Sequence, residues 1–567
     1  MKQLRSDPDR RAIDIADPPA GAPASWIVEF WTRDYLADPW VTPTLAGLLI
    51  AYLIGLFLLG PVPSTLFGND VFLLLDGGWR ILNGLAPNHD FYLSLGPIVY
   101  MCTAAGLWLA HNSAYGLTVG FLLFAALITV FAFLISRNRM TAAGSILFSI
   151  FILLLCTAPM PLGANSSLHL TYAMIYNRFG YGLLSILFVT LTLRPNAQTG
   201  SASKEDWFGG LVAGASLALL LFLKISYFAV GSGLVLFSIL ADGRNIRRLL
   251  ALVCGLVPIT LAMLAFLRFD VPAWVHDLKD TVHARSGGLS HFGISDFLGL
   301  STTSLIALAL ALCFLGANGP SGRQRLVLLA AVIYAILAES LFVLTNGSQG
   351  TARPLYIVII FILLAELGRT LRTKQDGSAP FAAALVVLGL SFMAPAYFVD
   401  LRSLALLAKY KTSDQIQASA ARVQGDHLRD LGFYDNQEDE PVRRENGHFY
   451  TSFLNDGIDL LKKYSNSSDI IASLSYHNPF SYALLRRPPR AGSTWLLIDN
   501  NIAAGHMLSD ERMFGDATVV MVPKYTLSTH VATDEALFRE YKPYLLSNFS
   551  FVAESKQWRL YRRMSGH

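Results

Sequence analysis

Charge is what this chain has least of. Only 15% of its 567 residues are charged, against about 25% in soluble globular proteins. With 53% of the residues hydrophobic, water cannot be the solvent for the whole surface. Cysteine is scarce as well. Cys102, Cys156, Cys254 and Cys313 all fall within apolar runs, which excludes a disulfide framework or a CxxC metal site in the last third of the chain. There is no basic tract with interleaved aromatics, so nucleic acid is not an expected partner. A P-loop, a GxGxxG between strand and helix, an HExxH and a GxSxG are all missing. Their absence argues against nucleotide, dinucleotide, zincin and hydrolase-elbow chemistry. Residues 1–25 lack the apolar core of a cleavable signal peptide and read as a polar, disordered tail.

What the chain has in abundance is apolar runs of bilayer length. Spans are expected near 41–60, 114–135, 141–158, 180–194, 207–223, 225–241, 249–267, 300–317, 326–345, 354–371 and 380–398, about eleven in all. Before them, Trp26, Trp31 and Trp40 mark a segment in the headgroup layer, so residues 1–40 form a tail and an interfacial stretch. The run 97–110 is read as a helix on the membrane surface. With that reading Arg137/Arg139, Arg194/Lys204, Arg244/Arg247/Arg248, Arg323/Arg325 and Arg369/Arg372/Lys374 all face the cytoplasm, as the positive-inside rule requires. The stretch 207–241 is interrupted only by Lys224 and must be a hairpin of two short helices. The expected protein is therefore an α-helical polytopic protein of the cytoplasmic (inner) membrane. Its N-terminus is cytoplasmic, its transmembrane domain covers 41–399, and loops 61–113, 159–179 and 268–299 lie outside. Residues 400–567 follow as an extracytoplasmic α/β domain, with strands expected in DIIASLSY, STWLLI, ATVVMVPKY and FSFVAES–KQWRLYRR.

The first outer loop is the most informative segment. It carries Asp70, a short amphipathic helix with Asp76 and Arg80, a turn at Asn83-Gly84, then His89-Asp90 and Gly96-Pro97. Two carboxylates on either side of a helix and turn can converge. One then serves as general base for an acceptor hydroxyl, while the other orients a partner or holds a metal. The plainer reading has Asp70 capping the helix that follows and Asp90 closing a turn.

On Asp70 and the pattern NGLAPNHDFYLSLGP, the chain resembles the GT-C superfamily of membrane glycosyltransferases. That group contains the protein O-mannosyltransferases and the lipid A aminoarabinose transferases. The resemblance extends over roughly residues 41–400, with the specific motif confined to the first loop. It implies that Asp70 is the catalytic base and that Asp90 occupies a second acidic position. Some members have an Asp-Glu pair where this chain has Asn69-Asp70.

Elimination points the same way. A carboxylate base outside the cytoplasm suits transfer from an activated lipid, and a polyprenyl-phosphate sugar keeps its tail in the bilayer while its phosphate leaves. The acceptor would be a hydroxyl of a glycan, glycolipid or protein. No cofactor is called for beyond an optional divalent metal, Mg or Mn. The leaving phosphate needs cations, and Lys224, Arg178, Arg353 and Arg80 are the candidates. An intramembrane charge costs about 2.5–3.5 kcal/mol on insertion scales, although each of these near a helix end could also snorkel. His276 and His283 are spaced to share a helix face with Asp280. Together with His89, Arg285, His291 and the Ser286-Gly287-Gly288 run they suggest an acceptor-binding loop or lid more than a metal site. A secondary transporter or lipid flippase, centred on Glu339, is the alternative. An O-antigen-ligase-like or structural membrane protein, which would not need Asp70, is the third class.

Overall fold

Inside lipid no water is available to pair with backbone N–H and C=O groups, so a long apolar run must satisfy them itself as a helix. The computed structural model describes residues 23–162, 168–195, 202–242, 246–289, 301–318, 322–345, 353–373, 379–435, 447–503, 505–525, 527 and 531–564. All eleven expected spans fall on helices. The order is α1 (Pro23–Thr32), α2 (Val41–Leu59), α3 (Asn69–Leu82), α4 (Ile98–Leu109), α5 (Gly116–Ser136), α6 (Ala142–Thr157) and α7 (Ile175–Thr192). It continues with α8 (Ala202–Leu223), α9 (Ile225–Asp242), α10 (Ile246–Phe266), α11 (Val271–Leu289), α12 (Ser301–Asn318), α13 (Gly322–Thr345), α14 (Pro354–Thr373) and α15 (Ala379–Thr412). Seven helices among the described residues are long and apolar enough to cross a membrane, those of α2, α5, α8, α10, α13, α14 and α15. The shorter α4, α6, α9 and α12 are apolar as well. The protein is thus a polytopic α-helical membrane protein.

Burial sorts these helices. Of α2 only Leu56 is buried, so its remaining apolar surface is left for lipid. In contrast, α7 is enclosed over nearly its whole length and packs against α5, α6, α8, α9 and α14. Helices α8 and α10 meet backbone to backbone through Gly210, Gly214 and Gly255, the small-residue spacing that lets membrane helices approach closely. The break expected at Lys224 is present between α8 and α9. Gly231 of α9 lies against Leu217 and Leu220 of α8, so the two helices fold back on each other.

Two segments differ from expectation. The polar stretch thought to open the C-terminal domain is the continuation of α15, which runs unbroken through Pro395 to Thr412. Its backbone bonds are internal, so nothing in that sequence forces a stop at residue 400. The segment 268–299, expected as a loop, is helical over Val271–Leu289. His291 and the 1–22 tail lie outside the described residues.

Beyond α15 come α16 (Asp414–Ala418), α17 (Gly447–Tyr464), α18 (Phe480–Ala483), α19 (Asp510–Phe514) and α20 (Val531–Asn548) around one four-stranded sheet. Its order is β1-β2-β4-β3, with β1 (Ile471–Ser473) parallel to β2 (Val519–Pro523). The hairpin of β3 (Phe549–Glu554) and β4 (Trp558–Arg563) adds antiparallel strands. STWLLI, expected as a strand, is not in this sheet. It leaves the domain's own ladder to pair Ser493 with Tyr92 of the first loop, and Leu496 donates its N–H to the Tyr476 carbonyl.

Candidate functional site

The surroundings of Lys224 are assembled from several chain segments. Lys224 sits buried at the α8–α9 break. Its Nζ donates to Asn177 Oδ1 at 3.0 Å and lies 5.1 Å from the Tyr176 ring and 5.9 Å from that of Tyr227. Tyr176 and Asn177 are presented by the first turn of α7, which Met174 enters with left-handed backbone. Gly96 brings the first loop to the same place. Its N–H bonds the Leu223 carbonyl at 3.2 Å, and a Cβ at this position would stand 1.9 Å from the Phe222 carbonyl oxygen. Only glycine allows that approach. The LSLGP sequence thereby seats the start of α4 beside Lys224. Tyr100 on α4 bonds Thr494 of the C-terminal domain at 3.1 Å and is within electrostatic reach of both Asp70 and Tyr176.

Asp70 occupies the first turn of α3. The cap position belongs to Gly68, and no side chain bonds there, so Asp70 is not the N-cap residue. It is half-buried and favourably placed against the positive end of the helix dipole. Tyr100 thus links the surroundings of Asp70 to those of Lys224, by way of Tyr176. Arg353 completes the far side. It interacts electrostatically with Tyr181 and Glu339, and Tyr181 in turn packs on Tyr227 at 5.3 Å. Both Glu339 oxygens are engaged, one by the Tyr181 hydroxyl at 2.8 Å and the other by the Leu355 N–H at 2.6 Å. This carboxylate fixes the start of α14.

Other candidate cations are held elsewhere. Arg80 is fully buried, with Nε on Asp76 at 2.7 Å and Nη1 on the Pro489 and Ala491 carbonyls at 3.1 and 2.7 Å. It clamps the first-loop helix to the C-terminal domain. Burial pushes the Asp76 carboxyl up to about 6, against the pull of Arg80. Arg178, also buried, donates to the carbonyls of Met160, Leu155 and Pro161 and faces Asp400 at 3.7 Å. The sequence signal for the Arg80 clamp was the i,i+4 spacing to Asp76, but the distant carbonyls have none.

Asp90 closes a turn, accepting the Ala86 N–H at 2.7 Å, and pairs with Arg268 at 3.2 Å. His89 bonds Asp270 at 2.7 Å, which holds that carboxylate below its ordinary range. Further along α11, the ligand atoms of His276, Asp277 and Asp280 lie within 4.8 Å of one another. Asp280 is 3.0 Å from His276 and 3.4 Å from His506, whose ring is 5.8 Å from that of His283. Imidazoles with carboxylates form a donor set suited to a divalent cation, and the cluster is capable of holding one. Asp277 also has work inside the protein. It accepts from Asn88 at 2.9 Å and Leu93 N–H at 3.1 Å and faces Arg512 at 2.9 Å. His506 and Arg512 were not visible as partners from sequence. The Arg285 side chain is outside the described residues.

No family model matches this chain, and no curated protein matches it. Among solved structures it is similar to ArnT from Cupriavidus metallidurans, both bound to undecaprenyl phosphate and in the apo state. The identity is 13% and the TM-score 0.46 in each case, over 92% of this chain and 98% of that chain. A likeness of this strength assigns neither an activity nor a ligand.

Proposed function

We propose that this protein is a membrane glycosyltransferase that moves a sugar from a polyprenyl-phosphate donor to an acceptor hydroxyl on the outer side of the membrane. The observation that supports it best is the buried Lys224 set 5.1 Å from the Tyr176 ring, with Tyr100 in electrostatic reach of both Tyr176 and Asp70. In this reading Asp70 takes the proton of the acceptor hydroxyl as its oxygen attacks the anomeric carbon. The bond from that carbon to the phosphate oxygen breaks, and polyprenyl phosphate departs. Lys224, with Arg353 beyond Tyr227 and Tyr181, stabilises the charge that builds on the leaving phosphate. The tyrosine rings flanking Lys224 exclude water and strengthen that interaction. Asp90 acts at one remove by holding the loop turn. His89, His276 and His283 border the side from which a glycan, glycolipid or protein acceptor would come, and Arg285 follows His283 in the sequence of α11. A divalent cation on His276, Asp277 and Asp280 would brace α11 against the His506 loop by charge neutralisation.

The decisive variant is Asp70→Asn, which keeps size and acceptor geometry and removes basicity. Turnover should fall by about 10²–10⁴, the usual worth of a general base, with donor binding preserved. A well-folded Asp70→Asn protein that transfers sugar at the unmodified rate would falsify the assignment.

A further inference from the structure

Helix α7 begins without a side-chain cap. Met174 precedes it in left-handed backbone and makes no capping hydrogen bond, and an uncapped first turn is where a helix frays. That turn carries Tyr176 and Asn177, both set against Lys224. The next residue, Arg178, is what fastens it. Pro159 has no N–H to give the Leu155 carbonyl at the end of α6, and Arg178 Nη1 takes that place at 3.0 Å. Nε and Nη2 donate to the carbonyls of Met160 and Pro161 at 2.9 and 3.3 Å. The charge is met by Asp400 of α15 at 3.7 Å, and both side chains are buried.

The turn that Arg178 fastens reaches Lys224 by three routes. Asn177 Oδ1 accepts from the ammonium at 3.0 Å, and the Tyr176 ring lies 5.1 Å from it. Gly180, one turn on, packs so tightly on Tyr227 that a Cβ there would stand 2.8 Å from the ring, and Tyr227 is 5.9 Å from the ammonium. All three contacts move with the start of α7. Hydrogen bonds weaken steeply with misalignment, so a small shift of this turn redirects the lysine. A guanidinium bonded through its planar fork fixes direction as well as distance.

We propose that Arg178 and Asp400 are positioning residues that set the Lys224 ammonium through Asn177 and Tyr176. The inference rests on the reading that Lys224 meets the phosphate of a polyprenyl-phosphate donor. Arg178 touches no substrate in this scheme, since its donors are committed to the carbonyls of the α6 end. Asp400 adds a second dependence. It stands on α15, the helix that leads to the C-terminal domain, so the aim of Lys224 is tied to the placement of that helix.

The test is a double-mutant cycle on the full chain, read as affinity for undecaprenyl phosphate titrated in detergent by calorimetry. Arg178→Lys keeps the charge but not the fork that serves three carbonyls. It should weaken binding about tenfold, within the coupling usual for residues of one network. In the Lys224→Ala background the same change should have no further effect, because no ammonium is left to aim. A merely structural role would weaken both backgrounds alike. That additivity overturns the proposal, and so does full affinity in a folded Arg178→Lys protein. If Lys224→Ala alone binds like the unmodified protein, the reading of Lys224 as the phosphate cation fails first and takes this inference with it. Should Arg178→Lys not fold, Asp400→Asn replaces it, since it keeps the carbonyl bonds and removes only the facing charge. A loss of about threefold that disappears without Lys224 supports the pair. A loss that persists without Lys224, or no loss at all, sinks it.

Discussion

The surroundings of Lys224 and the seam joining the first loop to the C-terminal domain handle buried charge in opposite ways. In the seam each buried charge is matched by direct contact: Arg80 with Asp76 at 2.7 Å, Arg512 with Asp277 at 2.9 Å. Arg80 spends its remaining donors on carbonyls across the interface. Around Lys224 the described partners are an amide oxygen and tyrosine faces instead. On the proposed reading, that setting holds the lysine where a donor phosphate would lie. Matched pairs confer position, and in that reading the aromatic-walled lysine confers chemistry.

Breaking a seam pair should produce the largest loss of stability. Arg80→Ala leaves Asp76 buried without its partner, which typically costs about 3–5 kcal/mol. Thermal unfolding of the full chain should shift down strongly, while the double change Asp76→Leu with Arg80→Met should recover most of the loss. Equal damage from both would mean that the pair is not what holds the seam.

Asp534 sharpens the contrast, because it is buried with only a backbone N–H, that of Tyr476 at 3.0 Å, and Ser475. Burial pushes its carboxyl up to about 7 from an ordinary 3.8. The folded domain therefore holds a proton that the unfolded chain releases between those values. Its contribution to stability is greatest below about pH 4, falls as pH rises to about 7, and is flat beyond. The span is on the order of 4 kcal/mol. Melting curves at pH 5 and pH 8 should differ in the unmodified protein and converge in Asp534→Asn.

In the pocket, Lys224→Ala should weaken donor capture by about 1.5–3 kcal/mol, the worth of a charge-assisted bond, with melting unchanged or raised. Donor affinity measured by fluorescence or calorimetry checks it, and undiminished affinity would return Lys224 to a merely structural place. The smallest effect belongs to the rim. Arg268 is half exposed, so Arg268→Gln should cost no more than about 1 kcal/mol, and Asp90→Asn should leave transfer within a few-fold. If Asp90→Asn matched Asp70→Asn in severity, the rim would have to be counted with the pocket.

How much of this was legible beforehand follows from how local each cause is. Spans were legible because their cause, apolar length, lies in contiguous sequence. So was the break at Lys224, since a lone charge in 35 apolar residues has few other places to go. Asp70 was singled out through its loop motif, and the structure adds the reason for Gly96, a close approach to α8 that no local pattern announces. Arg80 and Arg178 were read as phosphate cations because a buried arginine and an available one look alike in sequence. What separates them is a set of carbonyls hundreds of residues away for Arg80. STWLLI failed as a strand for a related reason. Its run of Trp, Leu and Ile suits a buried strand, but its pairing partner is Tyr92 in another part of the chain.

One helix carries a mechanical consequence. At about 1.5 Å per residue, the 34 residues of α15 make a rod of about 51 Å, against a hydrocarbon core about 30 Å thick. The C-terminal domain is therefore mounted on a shaft rather than hung from a tether. A tilt of α15 within the bilayer would be carried along that overhang to the domain that Arg80 clamps to the first loop.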